Sequence, residues 1–421
     1  MSEVSGRDGD LHNLIDRLSR RETAQLVAGL TRIFGPAHLN LAEDAVQEAL
    51  IAALNTWPYR GVPDNPKAWL WRAARNRALD NIRRNALFAA LEPKVADWIA
   101  SLQAPDENMP LTDEELSLIV LCCDPQLPEE VRVSLTLKSV CGFSVEEIAR
   151  AFLARPDAIA QRLVRAKARI KELGLSFEMP ARAALAPRIP SVLRTIYLLF
   201  NEGYLTSGGD SSMRLDMCAE ALRLACLVAD SAATTTPEAH ALAALLSFQH
   251  ARSAARTTSD GALVLLEHQD RKLWDRALLA LAFAHLDQAK AGPVLTSLHL
   301  EAGVASIHAQ ANSWDETNWP TLLRYYDLLM QVAPSPVVAL NRAVVVARVE
   351  GPAAALTSID GLADEASMRR YLPYHLTIGD LQLQLGERER ARDAYKRVAS
   401  LPASEPEHRL ILAKLKRCAD A

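Results

Sequence analysis

Residues 129–172 read EEVRVSLTLKSVCGFSVEEIARAFLARPDAIAQRLVRAKARIKE, and the punctuation of this stretch decides the fold. Apolar residues from Glu129 to Val140 recur at helical spacing, until Cys141-Gly142-Phe143-Ser144 interrupts them as a turn. Ser144 with Glu147 three residues on has the chemistry of a capping box, in which the hydroxyl accepts from one orphan amide and the carboxylate from another. A second helix follows over Val145–Leu153. Ala154-Arg155-Pro156-Asp157 ends it, and Asp157 is placed to cap a third helix that runs to Glu172. This is helix-turn-helix spacing. On the third helix Ile159, Leu163 and Ile170 share a face that should pack inward. Arg162, Arg165 and Arg169 share another, with Ala158 and Gln161 near its N-terminal end. A recognition helix offers N-terminal residues to base edges and flanking cations to phosphates. A basic helix in a bundle that never meets DNA would also look like this.

Upstream, Pro66–Arg84 reads PKAWLWRAARNRALDNIRR. Proline suits the first helical turn. At 100° per residue Arg72, Arg75, Asn76 and Arg83 fall on one side, and Leu70, Ala73, Ala74 and Ala78 on the other. Guanidinium groups at this spacing can meet successive phosphates, and Asn or Arg can reach base edges. Trp57, Tyr59, Trp69 and Trp71 lie nearby, and aromatic rings beside basic groups suit unstacked single-stranded bases. An amphipathic helix with a solvated arginine face and core tryptophans explains the pattern equally well. Further upstream, Asp44, Gln47 and Glu48 in LAEDAVQEAL (Leu41–Leu50) form an acidic face that could meet a basic partner, or simply water.

The rest of the chain is read as helical. With 421 residues, 49% apolar and only 5% aromatic, two or three helical domains are expected, an all-α class. Breaks are expected at Gly35-Pro36 and from Trp57-Pro58 through Asn65-Pro66, because a residue before proline leaves the helical region. A connector, residues 91–111 with Pro93, Pro105 and Pro110, precedes a block opened by Thr112 and Glu115 as a capping box. Pro180, Pro187 and Pro190 mark the next boundary, and Gly203 reads as the stop of the helix ending YLLFNEGY (Tyr197–Tyr204). No apolar stretch approaches the ~20 residues of a membrane span, and the polar N-terminus has no leader pattern. A cytoplasmic location is therefore expected. The six cysteines include no C-x-x-C pair, so buried, reduced thiols are expected. His240, His250 and His268 show no ligand spacing, and no metal, cofactor or catalytic residue is assigned.

Leu41–Leu50, Ala68–Arg84 (AWLWRAARNRALDNIRR) and Ser144–Arg169 (SVEEIARAFLARPDAIAQRLVRAKAR), in this order, resemble regions 2 and 4 of the extracytoplasmic-function (ECF) branch of the sigma-70 family. The resemblance implies a sigma factor that brings core RNA polymerase to promoter DNA, with the polymerase doing the chemistry. It places region 2 at 10–90 and region 4 at 112–176. Asp44, Gln47 and Glu48 then fall in the segment that docks on the β′ clamp helices, and the β flap is the expected partner of region 4. Trp69, Arg72, Arg75, Asn76, Asp80, Arg83 and Arg84 match the helix that reads and opens the −10 element. The loop Trp57–Asn65 matches the one that holds a flipped base. Gln161, Arg162, Arg165 and Arg169 fall on the −35 helix, where Ala158 and Ala160 replace the usual Thr and Lys. Two other readings remain, an operator-binding helix-turn-helix regulator and a protein-interaction scaffold.

A typical ECF factor would end near Leu175. The remainder is expected as a helical extension over 180–286 and repeats over 287–421. Tyr374–Pro402 resembles a tetratricopeptide (TPR) repeat with Gly379, Gly386, Ala391 and Tyr395 at its key positions. Ala339, Ala343, Ala355 and Ile359 suggest a preceding copy, and Leu322 and Tyr326 an earlier one. From Leu322 to Ala355 is 33 positions and from Ala355 to Ala391 is 36, close to the ~34-residue TPR period. The resemblance implies that this extension regulates the factor, through a regulatory protein bound at the C-terminal helices.

Overall fold

The computed structural model describes residues 23–84, 111–152, 154–204, 211–258, 263–365, 367–401 and 405–420. The proline-rich connector before Leu111 lies outside the described residues, as do the side chains of Thr112 and Asp113 in the expected second capping box. Among the described residues the regular structure is helical, and one isolated antiparallel bridge joins Thr257 to Leu263. The all-α class stands. The chain divides into two compact units, Met1–Leu199 and Phe200–Ala421.

The first unit holds α1 (23–34), α2 (Leu39–Arg60), α3 (Pro66–Arg84), α4 (Leu111–Cys122), α5 (Glu129–Leu135), α6 (Val145–Ala151) and α7 (Pro156–Glu172). Gly35, at φ 84°, ends α1 as expected. The break expected at Trp57-Pro58 is not there, because α2 runs through Pro58 to Arg60. Proline in the last turn forfeits one backbone bond without breaking the rest. The stop comes at Gly61, whose φ of 82° suits glycine and whose N–H donates to the Trp57 carbonyl at 2.9 Å. The Asn65 side chain then accepts from the Ala68 N–H at 3.0 Å and starts α3. Buried Leu70, Ala74 and Ala78 hold α3 against α2, and the Trp57 and Trp69 rings meet edge to face at 5.6 Å.

In the second half of the unit, the helix expected over Glu129–Val140 is α-helical only to Leu135 and closes as a π turn, Thr136–Val140. Ser144 and Glu147 form both bonds of the capping box. The expected cap at Asp157 is corrected. Arg155 is the N-cap, Pro156 opens α7, and Asp157 sits in the first turn. Proline forces the residue before it into extended geometry, so the helix starts two positions earlier than expected. Asp157 still favours the helix, as an anion near the positive end of its dipole. Ile159, Leu163 and Ile170 are buried as expected, each contributing about 1.5–3 kcal/mol.

The second unit is a succession of helices packed on their neighbours. Gly203 does not stop its helix. It lies buried inside Ile189–Tyr204, and the Tyr204 hydroxyl donates to Gln249 Oε1 at 2.8 Å. Farther on, Leu372–Gln384 and Arg388–Ala399 form a hairpin whose turn uses Gly386 at φ 79°. Ala343, Ala355, Ala391 and Tyr395 are fully buried. A methyl group on Gly379 would lie 2.4 Å from Tyr395 Cε1, and that ring has no solvent side to retreat to. Gly379→Ala is therefore expected to destabilise this hairpin by about 2–3 kcal/mol, read as a fall in the denaturation midpoint. An unchanged midpoint would show that the ring can move. Of the cysteines, Cys122, Cys123, Cys141 and Cys218 are buried and all six are free. Burial pushes the Cys122 and Cys123 thiols up, and that of Cys226 to about 11.

Candidate nucleic-acid interface

Three faces of the first unit carry the chemistry expected from the sequence. On α2, Asp44, Gln47 and Glu48 are exposed while Ala45, Val46 and Ala49 face inward. Partial burial, with help from the Glu43 and Glu48 carboxylates, holds Asp44 above the usual carboxylate range, and Lys167 opposes this. Glu48 lies 3.7 Å from Arg77 of α3.

On α3, Arg72, Asn76 and Asp80 are exposed four residues apart, a continuous outward stripe. Arg72 donates through Nε to the Ala68 carbonyl at 3.3 Å. Arg75 is half-buried, and its Nε is buried with no hydrogen-bond partner. The side chains of Arg83 and Arg84 lie outside the described residues. The aromatic groups divide. Trp69 is half-buried on the stripe's side of the helix, Trp71 is half-buried toward the opposite, packed side, and Trp57 is only 2% exposed and belongs to the core. The exposed ring is Tyr59, 88% accessible at the end of α2. The loop after it comprises residues 61–65, shorter than the expected Trp57–Asn65, because α2 continues to Arg60.

On α7, Ala158, Gln161, Val164, Arg165, Ala168 and Arg169 are exposed. Arg165 donates through Nε to the Gln161 carbonyl at 3.3 Å, and Arg169 pairs with Glu172 at 3.2 Å. Arg162 is drawn back toward α5. It donates to the Ser134 hydroxyl at 3.3 Å and lies 3.5 Å from Glu130. Val164, 64% exposed, carried no polar signal in the sequence, yet it stands on the outward face where a thymine methyl could be met.

Sequence reasoning also missed Glu43 and Lys167. The α7 ammonium lies 2.6 Å from the Glu43 carboxylate of α2, with side chains 12% and 6% exposed. Asn40 accepts from the same ammonium at 2.5 Å, and the Ser139 hydroxyl donates to Glu43. In α2 the spacing of Glu43 is that of a core residue, and that was the available signal. A second missed group lies in the other unit. Asp230, His240 and His285 bring one ligand atom each within 4.8 Å of one another, where the sequence had suggested no ligand set. Burial pushes both imidazoles below the ordinary histidine range.

Residues 19–88 match Sigma-70 region 2, and residues 117–170 match Sigma-70 region 4. The two matches together support a sigma-70 family sigma factor, with a role in promoter recognition by RNA polymerase. Residues 188–290 match a family of unknown function, DUF6596. An uncharacterized protein of Rhizobium meliloti (strain 1021) is 39% identical over 396 residues, spanning 93% of this chain and 92% of its own. The chain belongs to the same family as that protein. No solved structure matches it. No described helix is long and apolar enough to cross a membrane.

Proposed function

We propose that this sigma factor is of the ECF type and docks on the β′ clamp helices of core polymerase through Asp44, Gln47 and Glu48, with region 4 on the β flap. In this reading Trp69, Arg72, Arg75, Asn76, Asp80, Arg83 and Arg84 read and open the −10 element. Gln161, Arg165 and Arg169 meet the −35 duplex, with Arg162 positioning α7 from behind. The factor works in the cytoplasm, and all bond chemistry belongs to the polymerase.

The observation that carries this reading is the outward stripe of Arg72, Asn76 and Asp80 on α3, with half-buried Trp69 on the same side of the helix, together with the exposed Tyr59 ring at the end of α2. A reader of duplex DNA alone has no use for aromatic groups at that edge, whereas separated strands offer bases to stack on them. Unstacking costs a few kcal/mol, which contacts in such a pocket offset. The second unit, with its paired helices and the tight Gly379–Tyr395 approach, is read as a TPR-like extension that regulates output through a bound protein.

The test is reconstituted transcription on a matched promoter. Arg72→Glu with Arg75→Glu should abolish open-complex formation while binding to core polymerase persists. Asp44→Lys with Glu48→Lys should lose core binding instead. If the arginine variants melted promoter DNA normally, the −10 assignment would be wrong. If the chain bound a duplex operator but never core polymerase, the operator-binding reading would replace this one.

A further inference from the structure

Three helix segments of the DUF6596 match meet at one cluster of metal-ligating side chains. Asp230 is the last residue of Ser211–Asp230, His240 lies in the first turn and a half of Pro237–Ala251, and His285 lies one turn from the end of Arg276–Ala289. The His240 and His285 Nδ1 atoms are 2.9 Å apart, with rings tilted 35° and centroids 5.2 Å apart. A carboxylate oxygen of Asp230 completes a set in which every pair of ligand atoms lies within 4.8 Å. His285 is buried, His240 half-buried and Asp230 exposed, so the cluster is walled on one side and open on the other.

We propose that Asp230, His240 and His285 form a binding site for a divalent transition-metal cation, with water filling the remaining coordination positions. Two imidazole nitrogens and one carboxylate oxygen are a donor set that suits Zn²⁺ and its neighbours, and three protein ligands leave an open position. The Thr235 hydroxyl lies 3.2 Å from His240 Nε2. In the metal-bound form that hydroxyl would accept the Nε2 N–H while the Nδ1 lone pair turns toward the cluster, the usual role of a group behind a metal-bound histidine. The competing account is a lone N–H···N bond between the rings. That bond uses two of the three groups and leaves the carboxylate at the third corner without a role. Because the ligands come from three helices, the cation ties their ends together. Its binding free energy therefore adds to the stability of the folded unit. This site is independent of the promoter-recognition reading.

The experiment uses the full-length chain, stripped with a chelator and dialysed, then titrated calorimetrically with ZnCl₂. CoCl₂ serves as a spectroscopic probe. One equivalent should bind with a dissociation constant of roughly 1 μM or below, and Zn²⁺ should raise the thermal midpoint by about 5 °C. Co²⁺ should give a visible d–d band without the intense thiolate charge-transfer band that a cysteine ligand would add. His240→Ala and Asp230→Asn should each weaken binding at least ~10-fold and remove the thermal shift. His285→Gln, which keeps a polar side chain of similar reach, serves if His285→Ala fails to fold. No stoichiometric binding by the wild-type chain would overturn the site in favour of the plain ring–ring bond. Undiminished binding in a folded His240→Ala/His285→Gln variant would also overturn it, placing the metal elsewhere.

Discussion

Replacing Glu43 with alanine is expected to destabilise the first unit by about 3–4 kcal/mol, because it leaves a lysine ammonium in the protein interior without its counter-charge. Glu43 and Lys167 are both mostly shielded from water and lie 2.6 Å apart. The Ser139 hydroxyl would lose its acceptor as well. Asn40 would remain on the ammonium at 2.5 Å, which keeps the loss below the ~5 kcal/mol upper end for a broken buried pair. The double variant Glu43→Ala/Lys167→Met should recover most of the stability, since two apolar groups carry no desolvation cost. Denaturant unfolding of the full chain, with hydrogen exchange followed over residues 23–199, measures both. A loss under ~1 kcal/mol in the single variant would mean that the lysine escapes to water, as at an ordinary surface pair.

The second large effect is expected at Asp380. Its carboxylate accepts from the Tyr395 hydroxyl at 2.6 Å, and the Lys414 ammonium lies 2.6 and 2.8 Å from its two oxygens. Tyr395 and Lys414 are buried, whereas the Asp380 side chain is 37% exposed. Water therefore screens one partner, and Asp380→Ala should cost about 3 kcal/mol, the low end for such a pair. For a unit of this size that is a fall in thermal midpoint of roughly 6–12 °C. Burial, reinforced by the hydrogen bond to Asp380, holds the Tyr395 phenol above the usual tyrosine range, so it stays a donor through neutral pH. Asp380→Asn should preserve an acceptor for that phenol and still leave Lys414 uncompensated. If the asparagine variant matched wild type, the charge on Asp380 would have no part in holding the three side chains together.

What the sequence reveals is what is settled within a turn or two of chain. Ser144 and Glu147 lie three residues apart and form the capping box their chemistry requires. Ile159, Leu163 and Ile170 repeat at helical spacing, and their burial follows. Gly379 and Tyr395 sit at matching positions of one helical hairpin, so their close approach was also readable. Local errors have local causes. Pro58 looked like a helix break but falls in a last turn, and Asp157 looked like a cap but Pro156 had already started the helix. The hidden features join distant parts of the chain. Lys167 reaches Glu43 across 124 positions, and His240 reaches His285 across 45. Neither pair has a local signature, because only the packing of the helices sets those distances.

Among the described candidate DNA-facing residues, the exposed ones are Arg72, Asn76, Asp80, Gln161, Arg165 and Arg169, and Arg162 is turned back toward the protein. The core-docking candidates Asp44, Gln47 and Glu48 share one exposed face. Their assignment rests on pattern and exposure together, and the transcription experiment decides it.

The Glu43–Lys167 pair has a consequence for counterion release on DNA. Each phosphate neutralised on B-DNA steepens the fall of log affinity with log salt by ~0.9. Helix α7 carries five basic residues, Arg162, Arg165, Lys167, Arg169 and Lys171, and counting them would assign it five such increments. Lys167 is committed to Glu43 and Arg162 to Ser134 and Glu130. With those two spent on protein partners, a DNA-bound α7, as proposed above, would displace the counterions of at most three phosphates. On that proposal, its grip on duplex DNA is expected to survive rising ionic strength better than its arginine and lysine content suggests.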